Sequence, residues 1–179
     1  EYIPASVQIR ATRRPIYGCR TCEGAPVQAE APASPVPGGL PTCSTVAHLL
    51  TAKYIDGLPA TRQCEIIARQ GLALDRSTVV RWMGVGAHHL EPLYEALFAE
   101  VMGSAKIFGD ETPAPTLEVG RRTTKKAYLW AYARDDRAWN GPDPPAVVYC
   151  YASGRGKHHP AEHLKDFRGI LQVDGYRAY

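Results

Sequence analysis

Between Thr45 and Val101 apolar residues recur three and four positions apart, and beyond Gly103 they fall in short extended runs. The first spacing belongs to one face of an α-helix and the second to strands. Val46, Leu49, Leu50 and Tyr54 mark a first helix, capped by Ser44 or Thr45 and closed by Leu58-Pro59. A second covers residues 62–70 and opens at Thr61 or the residue before it, with Gly71 where a left-handed C-cap would sit. Asp75 then caps a short helix over residues 76–83. A longer helix runs from His88 or Leu90 to about Val101, with Pro92 in its first turn. Its apolar stripe is Leu90, Leu93, Tyr94, Leu97, Phe98 and Val101.

The extended runs predict strands at residues 106–108, 127–133, 146–151 and 170–173. A polar tract over residues 120–126 forms the tip of a hairpin, and residues 135–145 make a turn-rich connection. Residues 160–167 read as a helix of two or three turns feeding the last strand. The order is therefore β-β-β-α-β. Three antiparallel strands, a crossover helix and a fourth strand match the first part of a ribonuclease H-like domain. Ahead of the helices, alternation at Val7 and Ile9 predicts a short strand running into a cysteine knuckle at Cys19 and Cys22. Residues 25–43 are rich in Pro, Ala and Gly, a linker with polyproline character near residues 31–37. Four segments follow: 1–24, a partial zinc-finger-like module; 25–43, the linker; 44–103, a helical region; and 104–179, the strand-rich part. The fold class is α/β, a partial ribonuclease H-like mixed sheet behind a helix-turn-helix region and a cysteine knuckle remnant.

At 179 residues, 45% of them apolar, the chain is long enough for one core and a small appended module. A formal charge of +3 does not by itself imply a polyanionic partner, but the basic residues cluster. Five cysteines, an odd number without a regular framework, fit a reducing compartment. No apolar stretch approaches the roughly 20 residues needed to span a bilayer. The first residue is Glu and no signal peptide is evident, so the segment is expected to begin and end within a longer protein.

The chemistry concentrates at Asp110 and Asp174, each closing a short apolar run. Carboxylates at the ends of neighbouring strands can hold Mg²⁺ on a rigid platform, the arrangement that cuts phosphodiester bonds in many enzymes. The plainer alternative is a pair of turn aspartates. A third acidic ligand is expected, and none follows Asp174. Glu111 should point the opposite way from Asp110 and serve a structural role. Cys19 and Cys22 have the spacing of half a zinc site, or are simply a free pair. Two helices around Gly71 outline a helix-turn-helix, or a bundle that merely supports its neighbour. Were it to bind DNA, Arg76, Ser77, Thr78 and Arg81 would face a groove, with Arg62 and Arg69 near phosphates. Arg121, Arg122, Lys125 and Lys126 are either a solvated hairpin tip or a grip on the DNA backbone.

These segments together resemble the IS66-type insertion-sequence transposases, a group of DDE enzymes. The likeness rests on Cys19-x-x-Cys22, Lys53-Tyr54 through Leu58-Pro59 and Arg62-Gln63, and Asp75-Arg76-Ser77-Thr78-Val79 with Trp82. It continues through Asp110-Glu111-Thr112-Pro113, Leu129-Trp130 with Asp135-Asp136-Arg137, and Leu171-Gln172 with Asp174-Gly175-Tyr176.

The resemblance implies that Asp110 and Asp174 are the first two of three catalytic acids binding Mg²⁺ (or Mn²⁺), the third being a Glu outside this segment. It also implies Zn²⁺ in the intact parent protein, completed by an upstream Cys pair. Partners would be double-stranded DNA at element terminal repeats and at the target, other copies of the protein, and accessory transposition proteins, with no membrane. Location would be the bacterial cytoplasm, associated with the nucleoid. A DNA-binding remnant without cleavage is the alternative, and a protein with no nucleic-acid role a third.

Overall fold

The computed structural model describes residues 6–22, 24–118, 120 and 122–179. The chain divides into two compact units, Glu1–Leu90 and Glu91–Tyr179. Among the described residues no helix is long and apolar enough to cross a membrane.

In the first unit the strand expected at Val7 and Ile9 is absent, and Ile9 is exposed. Instead β1 (Ile16–Tyr17) pairs antiparallel with β2 (Val27–Gln28), bracketing the cysteines. Arg14 and Gln28 exchange side-chain bonds with the opposite backbone, at 2.9 Å to Ala29 O and 2.8 Å to Arg14 O. This minimal ribbon is held by polar contacts, so hydrophobic alternation was a poor guide to it. Nor is the Pro-rich stretch merely a linker. Val36-Pro37-Gly38-Gly39 is a β-turn, with Gly39 N–H donating to Val36 O at 2.8 Å and Gly38 at φ +65°. The turn presents Val36 to the core, where it is 1% exposed.

That core gathers Val46 and Leu49 from α1 (Cys43–Tyr54), Ile67 from α2 (Ala60–Ala68), and Val79, Trp82 and Met83 from α3 (Arg76–Met102). Thr42, two residues ahead of the expected caps, closes the start of α1 by accepting from Thr45 N–H at 3.3 Å. Buried Gln63 ties α2 to α1, donating from Nε2 to Leu49 O at 3.2 Å and Leu58 O at 3.0 Å. Gly71 adopts φ +90° after α2, as its position predicts.

The short and long helices expected over residues 76–101 are one continuous helix of 27 residues. Residues 84–87, which fell between the two expected helices, lie inside it. A Cβ on Gly86 would stand 2.5 Å from Val46 Cγ1, so this glycine marks a close approach of α3 to α1. Pro92 is interior to the helix, costing it one backbone bond.

In the second unit, β3 (Lys106–Thr116), β4 (Lys125–Arg134) and β5 (Ala146–Ala152) are antiparallel, and β6 (Ile170–Gln172) returns parallel to β3 after α4 (His158–His163). The elements follow the expected β-β-β-α-β order along the chain, and in the sheet the strands lie β5-β4-β3-β6. β6 pairs β3 only at residues 106–108. Farther along, β3 has a neighbour on one side only, which lets Pro113 and Pro115 sit in it without an N–H to offer.

One face of this sheet is the core: Ile107, Tyr128, Trp130, Tyr132, Val148 and Ala152, with Val101 from the last turn of α3. Of the predicted α3 stripe only Val101 is fully buried and Phe98 partly, whereas Leu90, Leu93, Tyr94 and Leu97 are 40–68% exposed. Val101 and Phe98 carry the apolar contact with the sheet, while Tyr94, one turn earlier, reaches it through its hydroxyl, which donates to Tyr149 O at 3.0 Å. The opposite face shows Val147, Tyr149, Tyr151 and Ile170, all more than 40% exposed. At the margin of the core, Arg134 is 3% exposed and spends its donors on Pro144 O, Glu100 Oε1 and Ser104 Oγ.

Two measurements check this packing. Gly84 has open space around it. Gly84→Ala should therefore raise stability in urea melts by about 0.5–1 kcal/mol through helix propensity. Gly86→Ala should lower it by about 1–3 kcal/mol, because Val46 is stiff and cannot yield. Burial also lowers the pKa of His163, whose Nδ1 lies 3.0 Å from Tyr132 Oη. The folded state disfavours the imidazolium, so this stability is present above the unfolded value of about 6.5 and is lost as pH falls through it. Melting temperature should drop between pH 7.5 and 5.5, and His163→Gln should shrink that drop.

Candidate functional site

Asp110 lies in β3 and Asp174 just past β6. The last pair between those strands is Phe108 with Gln172, and each aspartate lies two residues beyond it. The two aspartates thus follow the last parallel pair by the same number of residues, Asp110 inside β3 and Asp174 in the bend after β6. Both are exposed, and each is steered by a local amide: Glu111 N–H donates to Asp110 Oδ1 at 2.8 Å, and Tyr176 N–H to Asp174 Oδ1 at 3.0 Å. Gly175, at φ +87°, makes the turn that brings the second amide round. Tyr179 feels both charges. Its hydroxyl pKa is pushed well up, first by burial, then by its bond to Glu111, and further by the charges of Glu111, Asp110 and Asp174.

Glu111, next in sequence to Asp110, has the opposite environment. Its side chain is 2% exposed and grips Arg155, whose Nε donates to Oε1 at 2.7 Å and whose Nη2 also reaches that oxygen. Tyr179 Oη donates to Oε2 at 3.1 Å. The guanidinium lies 3.8 Å from the centre of the Tyr176 ring, and Tyr176 Oη donates to Arg155 O at 3.0 Å. The Glu111 hydrogen bond raises the pKa of Arg155. The Tyr179 ring rests edge-on against Trp130, with centroids 5.6 Å apart, and passes so close to Gly109 that a Cβ there would meet it at 3.2 Å.

Sequence reasoning expected a structural role for Glu111, as its buried ion pair bears out, but missed Arg155 and Tyr179. A signal existed: a carboxylate inside an otherwise apolar strand demands a cation, and Arg155 stands alone between two glycines.

The predicted cysteine pair is exposed and unbridged. Hydrogen bonds from the Thr21 hydroxyl and amide, then from Cys22, lower the Cys19 thiol to about 6. Among the described residues no group of three or more His, Cys, Asp or Glu side chains is arranged to hold a metal.

Of the predicted DNA contacts, Arg76, Ser77 and Thr78 occupy the first turn of α3 and Arg81 the next, all exposed except half-buried Thr78. Arg69 is exposed after α2, and Arg62 is paired with Glu65 at 2.8 Å. Lys125 and Lys126 open β4 opposite Thr116 and Pro115, away from Asp110 along the same hairpin. Lys125 lies 3.9 Å from Glu118, Lys126 lies over the Tyr128 ring, and Arg122 is exposed. Arg121 falls outside the described residues.

Comparison with known proteins places this geometry. The family model "Transposase IS66 family" matches residues 38–179. Three proteins of Sinorhizobium fredii (strain NBRC 101917 / NGR234) align over the whole chain: uncharacterized protein y4jD at 43% identity, y4qI at 45% and y4hP at 32%. The chain spans 35%, 33% and 32% of their respective lengths. No solved structure matches. With more than half of its residues covered by that family model, the chain belongs to the IS66 transposase family.

Proposed function

We propose that this chain carries part of the catalytic machinery of a DDE-type DNA transposase, with a DNA-binding helical region ahead of it. The observation that carries this is that Asp110 and Asp174 each follow the last parallel pair of β3 and β6 by two residues, in a chain of this family.

The donor set fits Mg²⁺ or Mn²⁺. Both groups are hard carboxylate oxygens and exposed, Asp110 within β3 rather than at the strand end expected from the sequence, and such ions keep several waters rather than needing a full protein cage. Asp110 and Asp174 would hold the ion, completed by a third acid from elsewhere in a longer polypeptide. When bound, a divalent ion activates water or a DNA 3′-hydroxyl and stabilises charge on the scissile phosphate. The chain's own part is orientation. The amides of Glu111 and Tyr176 orient the carboxylates, and the pairing of β3 with β6 brings their segments alongside. The mixed sheet, with its crossover helix and parallel return strand, supports a ribonuclease H-like assignment. Zn²⁺ at Cys19 and Cys22 belongs to the same proposal, needing two further ligands. So do self-association on paired DNA ends and accessory proteins.

The helical unit supports DNA contact through α2, Gly71 and the start of α3, the outline of a helix-turn-helix with its cations on one exposed helix start. Arg122, Lys125 and Lys126 would add backbone contacts that carry no sequence preference.

Titration of the chain with Mn²⁺, followed by electron paramagnetic resonance, should show binding that Asp110→Asn and Asp174→Asn each weaken by more than about tenfold. Mg²⁺-dependent nicking of element-end DNA by a protein carrying this segment should vanish with Asp110→Asn. Salt-sensitive DNA binding without any nicking would instead favour a non-cleaving DNA-binding protein. For the helical region, a plot of log affinity against log salt should flatten by about one unit in slope for each of Arg76→Ala and Arg81→Ala. No change in either variant would remove that helix from the interface.

A further inference from the structure

Asp174 lies beyond the last ladder pair of β6, so the strand alone does not fix it. The segment that follows is tied back to β3 at one point, the Glu111 carboxylate. Oε2 accepts from Tyr179, five residues past Asp174, and Oε1 accepts from Arg155, which stacks on Tyr176, two residues past it. Tyr176 in turn supplies the amide that orients the Asp174 carboxylate. Glu111 also supplies, from its backbone, the amide that orients Asp110. One residue thus touches the supports of both aspartates.

We propose that Glu111 is a positioning residue whose buried carboxylate, through Arg155 and Tyr179, clamps the Asp174 segment beside Asp110. The inference rests on the assignment of the two aspartates as a metal pair. Glu111 is not a third ligand. Its oxygens are taken by a guanidinium and a phenol, and its side chain is sealed from solvent on the face opposite the exposed Asp110. A bare contribution to the core is also insufficient, since its hydrogen bonds go to Tyr179 and to Arg155, which stacks on Tyr176, both in or against the segment after Asp174.

The test uses the whole 179-residue chain and two variants. Glu111→Gln keeps the shape and loses the charge that holds Arg155. Tyr179→Phe keeps the ring on Gly109 and Trp130 and loses one hydrogen bond. Amide exchange by NMR should quicken about tenfold at residues 175–179 in Glu111→Gln, and less in Tyr179→Phe, while β4 amides at residues 128–132 keep their protection. Mn²⁺ should broaden the side-chain carboxyl signals of both Asp110 and Asp174 in the parent chain, but chiefly that of Asp110 in Glu111→Gln. Unchanged exchange at residues 175–179, or faster exchange spread evenly over the strands, overturns the clamp. If Glu111→Gln does not fold, Tyr179→Phe decides the same comparison. Should Mn²⁺ broaden neither aspartate in the parent chain, the metal assignment fails, and the exchange data still decide whether the clamp exists.

Discussion

Three rungs of parallel pairing between β3 and β6 bring the segments of both aspartates alongside, and parallel rungs are individually weaker than antiparallel ones. So short a ladder needs fastening at both ends. At its start, Gly169 lets the backbone come so near that a Cβ would lie 2.5 Å from Ala105 O, and Ile170 N–H donates to that same carbonyl at 2.8 Å. Past its end, the Tyr179 ring seats on Gly109, where again only hydrogen leaves room. Glycines on both strands therefore do what ladder length does in larger sheets. They exchange side-chain packing at two positions for a close backbone approach that fixes register.

The alternation of a strand then divides two adjacent carboxylates into different chemical roles. Asp110 faces solvent and remains available, whereas Glu111 turns to the core side and must be compensated. Burying a carboxylate without partners is prohibitive, and a two-pronged guanidinium is the side chain best shaped to compensate it. Arg155 is 44% exposed, so solvent screens the attraction and its energetic contribution is modest. The more secure contribution is geometric. A planar fork, a ring stacked beneath it and a phenol on the second oxygen leave the returning segment few alternative conformations.

Element types were legible wherever period and punctuation agreed. The order of strands along the chain, the helix that feeds β6, and the left-handed Gly71 all follow from alternation, three-to-four spacing and turn residues. The failures share a cause: a residue whose local preference was overruled by a distant neighbour. Residues 84–87 fell between two expected helices, yet the space Gly86 vacates is filled by α1. Val36 is a single apolar residue in a Pro-Gly tract, invisible to any periodicity, and buried because a turn delivers it. The stripe on α3 is genuinely amphipathic, but amphipathicity does not say how much of a helix finds a sheet to cover it. At the candidate site, motif order pointed to the aspartates. Their supports were hidden because Glu111 and Arg155 are 44 residues apart and meet only after β4 and β5 are in place.

The hairpin itself constrains how a duplex would lie on the proposed site. Lys125 is opposite Thr116, six residues along β3 from Asp110 and on the same face by alternation. At the rise of an extended strand that is roughly 20 Å. Phosphates along one strand of B-DNA advance by about 3.4 Å per base pair, so the interval corresponds to about six base pairs. On the proposed function, a backbone held at the basic end of β4 would set a scissile phosphate near the aspartates about half a helical turn away, on the same hairpin. That end would then bind without taking part in the chemistry, being too far along the strand from Asp110 to pair with its carboxylate.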